Sequence, residues 1–572
     1  MPEMNWQVAP VVPKDFSDKF PEINPIVLQL LFNRGINTQT AIDEFLNPDY
    51  SVDIHDPFLF RDMAKAVKRI LEAIQNKEKI VVYGDYDADG VTSSAVMVET
   101  LTKLGADVEV YIPYRETEGY GLNDEAALEL AKQGVSLIVT VDCGISNVKE
   151  INLLNQNNID VIVTDHHHEP PQLPNAFAII NPNVEAETYP FRSLAGVGVA
   201  FKVAQGLVLK HKEYKVEPIP EGWEKWLLDL VAIGTVADMQ ILLGENRTLV
   251  SYGLVVMRKN NRLGLSELLK STSADIATAD EQIIGWQISP RLNAAGRLNH
   301  ASSAYQLLIT KDQAEAAKLT EELNQTNQER QRLTEKVKTE AREALGEFNG
   351  EKILIAVGTD WPTGVVGLVA GRITDQYNRP ALVISHYNGE IIGSGRSIKE
   401  FNIIEALDDC REYLVRYGGH AQACGFTVKD EANLELFIKK INELAAKTLA
   451  GKDIAKSLFV DAAVELEGVD WHLFSQLEKF SPHGVGNYKP RFVAHDLNIK
   501  ETQSIGKDGR HLRLMVQHKT QVIRKTIGFT FGPWHDKLKP GDKVDIVFEV
   551  DVNQWNGNRE LQLKIIDLKA KE

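Results

Sequence analysis

Four short apolar runs constrain the fold of this chain most: IVVYG (80–84), VEVYI (108–112), LIVTV (137–141) and VIVTD (161–165). Helical text such as NDEAALELAKQG and SNVKEINLLNQNN lies between them. Strand-length apolar runs alternating with amphipathic helices predict a doubly wound parallel sheet. The first run continues as VVYGDYDADGVTSSA (81–95), with aspartates at 85, 87 and 89 and a glycine at 90. Repulsion among three carboxylates so close together calls for a cation. The pattern D-x-D-x-D-G also opens an EF-hand loop, but that loop needs a glutamate at its twelfth position. Here that position is Val96. The aspartates instead sit at the C-terminal end of a strand, before a helix predicted over 91–104, where open α/β sheets bind ligands.

Other strand ends offer partners. LIVTV is followed by Asp142-Cys143-Gly144, VIVTD ends in Asp165 before His166-His167-His168, and Asp238 follows the apolar stretch LVAIGTVA. One aspartate at a strand end is ordinarily an N-cap, and one histidine is ordinarily structural. The joint pattern favours metal. Carboxylate oxygen with imidazole nitrogen suits Mn²⁺, Mg²⁺ or Fe²⁺ better than thiolate-rich zinc. Five or six such ligands suffice for two ions about 4 Å apart, the arrangement that serves phosphoryl hydrolysis. Neighbouring side chains diverge, so two of the three histidines are expected in the site, with His168 outside it.

Further along, KDQAEAAKLTEELNQTNQERQRLTEKVKTEAREALG has no Pro or Gly over 311–345 and closes on Gly346. It predicts one long polar helix joining two domains. EKILIAVG, ALVISHYN and EIIGSGRS then begin a second α/β domain. Alternating strands from RFVAHDLNIK onward predict an all-β module, a sandwich or OB-like barrel. The expected boundaries are 1–310, 311–347, 348–452 and 455–572. Net charge is −17, yet residues from 455 onward carry 18 basic against 16 acidic side chains. Three cysteines make no disulfide framework. No apolar run reaches the ~18 residues of a membrane span, and the opening MPEMNWQVAPVVPKDF lacks signal-peptide order. A cytoplasmic protein is expected.

GDYDADG, VDCG, TDHH and ADMQ, in that order, resemble motifs I to IV of the DHH phosphoesterase superfamily. YGGHAQACGF (417–426) resembles the signature of its accessory domain, DHHA1. IPYRETEGYGLN (112–123), SPRLNAAGRLNHAS (289–302) and GSGRS (393–397) resemble the RecJ family of bacterial single-strand-specific 5′→3′ exonucleases within it. The resemblance spans almost the whole chain. It implies metal ligation by Asp87, Asp89, Asp142, His166 and Asp238, with Asp85 joining them on the chemical reading. It places His167 in the site as a ligand or near the scissile phosphate. Phosphate contacts are implied for Arg115, Arg297, Ser394 and Arg396, and a substrate contact for His420. Small residues, main-chain N–H groups and a guanidinium in GSGRS suit a phosphate on chemical grounds as well, with a Gly turn carrying a surface Arg as the lesser alternative from the residues alone. In the C-terminal module Arg510, Arg513, Lys525, Phe529 and Trp534 are candidates for single-strand binding by basic groove and stacking, the two aromatics reading equally as core.

The expected activity is metal-dependent removal of 5′-mononucleotides from single-stranded DNA by a monomer in repair and recombination. A single-strand-binding protein and a helicase are the expected partners. Two other readings are a phosphoesterase for oligoribonucleotides or cyclic dinucleotides, and a DNA-binding scaffold with a degenerate nuclease fold. The first generally lacks the long helix and β-module; the second loses the carboxylates this chain keeps.

Overall fold

The computed structural model describes residues 4–519, 522–555 and 558–571. They form two compact units: Met1–Ser289 with Leu307–Ala316 and Ser457–Glu572, and Pro290–Gln306 with Ala317–Lys456.

In the first unit, strand β1 (Asn5–Val8) lies ahead of a five-stranded sheet. That sheet is built from β2 (Lys79–Gly84), β3 (Asp107–Tyr111), β4 (Leu137–Val141), β5 (Asp160–Thr164) and β6 (Ala178–Ile180). It is parallel throughout, in the order β3-β2-β4-β5-β6. Continuous rather than alternating apolar runs form β2, β4 and β5 because helices cover both faces. Helices Asp124–Lys132 and Val148–Gln156 bury Ala127, Leu130, Ile151 and Leu154 against Val81, Ile138 and Val163. Helices Ala88–Lys103, Gly196–Lys210 and Leu228–Ala237 pack together as a second group. The chain leaves β2 for β3 on one side and returns to β4 on the other. The crevice beyond the C-terminal end of β2 is therefore the topological switch point.

In the second unit β7 (Leu354–Thr359), β8 (Ala381–Tyr387), β9 (Glu390–Arg396), β10 (Leu414–His420) and β11 (Ala423–Val428) form a mixed sheet ordered β10-β11-β9-β8-β7. Only β7 and β8 are parallel, joined through helix Thr363–Tyr377. The long helix runs Gln313–Leu345, two residues shorter than expected, because the Asp312 side chain accepts from Glu315 N at its start. Gly346 follows with φ of 66°, the left-handed C-terminal cap. This helix is not polar all round. Leu323, Asn327, Thr334, Val337 and Ala341 are buried, and Val337 and Ala341 share a core with Trp361, Val365 and Val369. Threonine, asparagine and alanine on the buried stripe made it look solvated.

Returning to the first unit, β12 (Ser457–Val460) pairs in parallel with β1. β13 (Ala462–Ala463), β14 (Phe492–Ile505), β15 (His511–Gln517), β16 (Ile523–Gly528), β17 (Lys543–Trp555) and β18 (Asn558–Ala570) close into a barrel through β14–β17 pairing. Helices Pro25–Asn33 and Gln39–Leu46 contribute Leu28, Leu31, Ile42 and Phe45 to the barrel's core. Arg247 ties this region together. It is 2% exposed and donates to the carbonyls of Phe45, Lys479, Phe480, Ser481 and Pro482. No helix among the described residues is long and apolar enough to cross a membrane.

Candidate metal centre

The acidic cluster is assembled by strand ends and helix caps. Asp85 directly follows β2. The helix after it begins at Ala88, a turn earlier than expected, because Asp87 is its N-cap and accepts from the amides of Asp89 and Gly90 at 2.9 and 3.1 Å. Asp89 reaches across to helix Gly196–Lys210. Its carboxylate accepts from Gly196 N (2.7 Å) and Val197 N (2.9 Å), capping that helix where no local side chain does. Asp142 follows β4 with φ of 60°, a conformation asparagine and aspartate tolerate best after glycine. Asp238 ends helix Leu228–Ala237 and is held by Gln240 Nε2 at 2.9 Å.

His166 Nε2 stands among three of these carboxylates, 3.1 Å from Asp142 Oδ1, 3.7 Å from Asp238 Oδ2 and 3.8 Å from Asp89 Oδ2. Ligand atoms fall into overlapping groups of three, each within 4.8 Å: Asp89, His166 and Asp238; Asp85, Asp87 and Asp142; Asp142, His166 and His167. Two of these groups share no residue, so the set can hold two cations, with Asp142 and His166 each belonging to more than one group.

The electrostatics are those of a cation site. Burial, then Asp87, pushes Asp85 up to about 8. Burial, then the neighbouring carboxylates, holds Asp89 and Asp142 well above the usual range. Asp238 is raised to about 6, chiefly by burial. Among the described residues, Asp85 Oδ1 and Asp142 Oδ1 are buried and accept no hydrogen bond. His166 is lowered to about 4, chiefly by burial, and is therefore neutral and able to ligate at neutral pH. Hard oxygen donors with one neutral imidazole fit Mn²⁺ or Mg²⁺.

A pH dependence follows for chelated protein. Unfolded aspartates titrate near 3.9, whereas folded Asp85 does so at about 8 and Asp238 at about 6. As pH rises from about 4 to about 8, the unfolded chain releases protons that the folded chain retains, so folded stability falls. The melting temperature in chelator is expected to drop between about pH 5 and about pH 8, and Asp85→Asn is expected to flatten the drop. A flat wild-type profile would contradict this.

His167 has a different environment. Its Nδ1 lies 2.7 Å from Asp165 Oδ1 and 3.1 Å from Tyr120 Oη. Asp165 also accepts from the amides of Ile145, His166 and His167. Burial opposes charge on His167, but Asp165 outweighs it and raises the imidazole to about 9. Asp165 is thus an anchor for His167 rather than a member of the donor groups. His168 is exposed and lies outside them. Arg115, over the Tyr86 ring at 5.2 Å, is close enough to favour the charged form of Asp85.

Three of the remaining candidates meet in the second unit. Ser394 Oγ donates to Cys424 O at 3.0 Å, and Arg396 Nη1 to Gly395 O at 2.9 Å. Helix Thr363–Tyr377 opens beside them. A Cβ on Gly364 would lie 2.4 Å from Arg297 O, and one on Gly367 would lie 3.0 Å from Ser394 Oγ and 3.4 Å from Arg396 Nη2. Two glycines one turn apart therefore bring a helix N-terminus against Arg297, Ser394 and Arg396, a setting suited to an anion. His420 pairs with Ala423, which pairs with Arg396. Cross-strand partners share a sheet face, so His420 is on the Arg396 face, two strands away. In the barrel, Phe529 is exposed against His511. Lys525 pairs with Glu560 and Arg513 bonds Gln503. Trp534 packs on the core edge.

Sequence reasoning missed the residues that let the helices approach. A Cβ on Gly196 would meet Asp142 Cβ at 2.6 Å, and one on Gly234 would meet Thr92 Oγ1 at 2.4 Å and Asp89 Oδ1 at 2.7 Å. The paired glycines of LAGVGVAFK (194–202), opening a helix, were the available signal.

Residues 79–235 match the DHH family N-terminal domain, 350–447 the DHHA1 domain and 460–567 the RecJ OB domain. The single-stranded-DNA-specific exonuclease RecJ of Bacillus subtilis (strain 168) is 40% identical over 553 residues, 96% of this chain and 68% of that one. The Escherichia coli (strain K12) exonuclease of the same name is 32% identical, with 96% of each chain covered. The chain belongs to the RecJ family. A RecJ crystal structure from Thermus thermophilus, in complex with Mn²⁺, superposes with a TM-score of 0.84 at 29% identity, covering 99% of this chain and 80% of that one. A Mg²⁺ complex of that RecJ gives 0.76. Three RecJ modules thus account for the switch-point sheet, the mixed sheet and the closed barrel.

Proposed function

We propose that this chain hydrolyses single-stranded DNA from the 5′ end, releasing 5′-mononucleotides, with two ions of Mn²⁺ or Mg²⁺. The observation that carries the reading is the pair of disjoint three-donor groups at the switch point, in a chain 40% identical to a RecJ exonuclease. Asp85, Asp87, Asp89, Asp142, His166 and Asp238 would hold the ions. Bound there, such ions supply an activated water and stabilise charge on the phosphate.

The protein's own groups do the rest. Asp165 fixes the His167 ring and keeps it protonated, which places a positive charge beside the carboxylates, suited to a phosphate oxygen. Gln240 orients Asp238, and the Gly196 and Val197 amides orient Asp89. Preorganisation of this kind spares reorganisation at the moment of reaction. Arg115 contacts the backbone near the metal centre. Arg297, Ser394 and Arg396 bind the terminal 5′-phosphate, with His420 contacting the strand on the same sheet face. No nucleophilic side chain is required. The enzyme would act as a cytoplasmic monomer in repair and recombination, alongside a single-strand-binding protein and a helicase.

Arg396→Ala tests the end-recognition part. The wild type is expected to cut a 5′-phosphorylated oligonucleotide faster than its 5′-hydroxyl counterpart. The variant should lose about tenfold or more on the phosphorylated substrate, bringing the two rates together. Undiminished preference in the variant would remove Arg396 from the role.

A further inference from the structure

The second unit holds another group of arginines away from GSGRS. Arg291, on helix Ser289–Leu298, donates from Nε to Asn324 Oδ1 at 2.7 Å. Arg330, on the long helix, donates from Nη2 to Asn327 Oδ1 at 2.9 Å. Asn324 and Asn327 are three apart and share a helix face. Arg372, on helix Thr363–Tyr377, pairs with Glu335, a carboxylate that Lys338 also engages. Three helices thus direct guanidinium groups at one region. Arg330 is half-buried, and both Arg291 and Arg372 are near enough to disfavour its charge.

Arg330 is unlike the buried arginines that serve folding elsewhere in the chain. Arg262 is neutralised by Asp229 and Glu99. Arg247 spends its donors on five carbonyls. Among the described residues, Arg330 forms no ion pair, its buried Nε has no hydrogen-bond partner, and its Nη2 donates to a neutral amide. Crowding like charges in a partly desolvated place is costly unless an anion completes it. In a chain of net charge −17, acidic side chains were abundant for that purpose and were not used on Arg330.

We infer that Arg330, with Arg291 and Arg372 beside it, forms a backbone-phosphate site for single-stranded nucleic acid, additional to the Arg297, Ser394 and Arg396 group. A guanidinium fork matches phosphate oxygens. The asparagines keep the forks in place without neutralising them. The inference rests on the single-strand reading above.

The test is binding by the full chain, in chelator so that nothing is cut, of a labelled thymidine oligomer of about 20 nucleotides. Fluorescence anisotropy is followed from about 50 to about 300 mM salt. Arg330→Gln is expected to weaken binding about tenfold near 100 mM salt and to make the slope of log K against log salt shallower by about 0.7, one single-strand phosphate contact. Arg330→Lys, which keeps the charge, should retain the slope. A glutamine variant parallel to the wild type, or a lysine variant as impaired as glutamine, overturns the inference. If Arg330→Gln does not fold, Arg291→Gln is read in the same way. Wild-type protein that binds no single strand overturns the proposed function, and this site with it; wild-type binding with an unchanged variant slope overturns this site alone.

Discussion

Asp142→Asn is expected to reduce Mn²⁺-dependent hydrolysis by about a thousandfold, roughly 4 kcal/mol of barrier, while raising the melting temperature of the chelated protein. Asp142 is the carboxylate shared between donor groups, with Asp85 and Asp87 in one and with His166 and His167 in another. Losing it breaks the Asp85, Asp87 and Asp142 group, so one of the two ions loses its set, and it takes from His166 Nε2 the nearest carboxylate, 3.1 Å away. Without metal the same carboxylate is a liability. It is 3% exposed, accepts no hydrogen bond at Oδ1 among the described residues, and is disfavoured by burial and by Asp89, Asp87, Asp85 and Asp238. A neutral amide of the same size relieves that repulsion by about 1–2 kcal/mol, worth about 1–2 °C in melting temperature for a chain of this length. Opposite signs in the two readouts separate a ligand from an ordinary structural aspartate, whose loss lowers both. Activity within tenfold of wild type, or a lower chelated melting temperature, would contradict the assignment.

Gly90→Ala is expected to cost about 2–4 kcal/mol of stability and about a hundredfold in rate. The glycine that closes GDYDADG is needed for space. A Cβ there would lie 2.5 Å from Asp85 O, 2.6 Å from its carbonyl carbon and 2.7 Å from its Cα. All three are main-chain atoms, so no rotamer change makes room. The loop carrying Asp85 and Asp87 must move, and with it the donor group they form with Asp142. The helix cap is disturbed too, since Gly90 N donates to Asp87. Thermal melting and single-turnover cleavage measure the two losses. An alanine variant with wild-type stability would show that the loop yields, and the glycine would lose its steric role.

What the sequence disclosed depended on whether a function was carried locally. β2, β4 and β5 were legible because strands covered on both faces are apolar at every position. Asp85 and Asp142 were legible because they follow those strands directly, and His166 because only Asp165 separates it from β5, where a parallel sheet gathers strand ends. The helix start at Ala88 was misplaced because Asp87 is both an N-cap and a member of a donor group, and the charge pattern drew attention to the second role. Gly196 and Gly234 were overlooked because their purpose is close approach between helices far apart in sequence. Asp165 was not recognised as the anchor of His167 because the strand-end pattern makes it resemble its neighbours. The core shared by Leu28, Phe45 and the barrel joins segments more than 400 residues apart, which no local periodicity can show. The buried stripe of the long helix was hidden by the polar residue types that form it, Asn327 and Thr334 among them.

The most direct measurement uses a single-stranded DNA oligonucleotide labelled separately at its two ends, incubated with the protein and Mn²⁺ beside a chelated sample and the Asp142→Asn variant. A two-ion 5′→3′ exonuclease gives early release of labelled mononucleotide from the 5′ end, a 3′ label that stays on a shortening strand, and neither product in the two controls. Release from the 3′ end first, cleavage that survives chelation, or retarded but uncut DNA in the Mn²⁺ sample would contradict it.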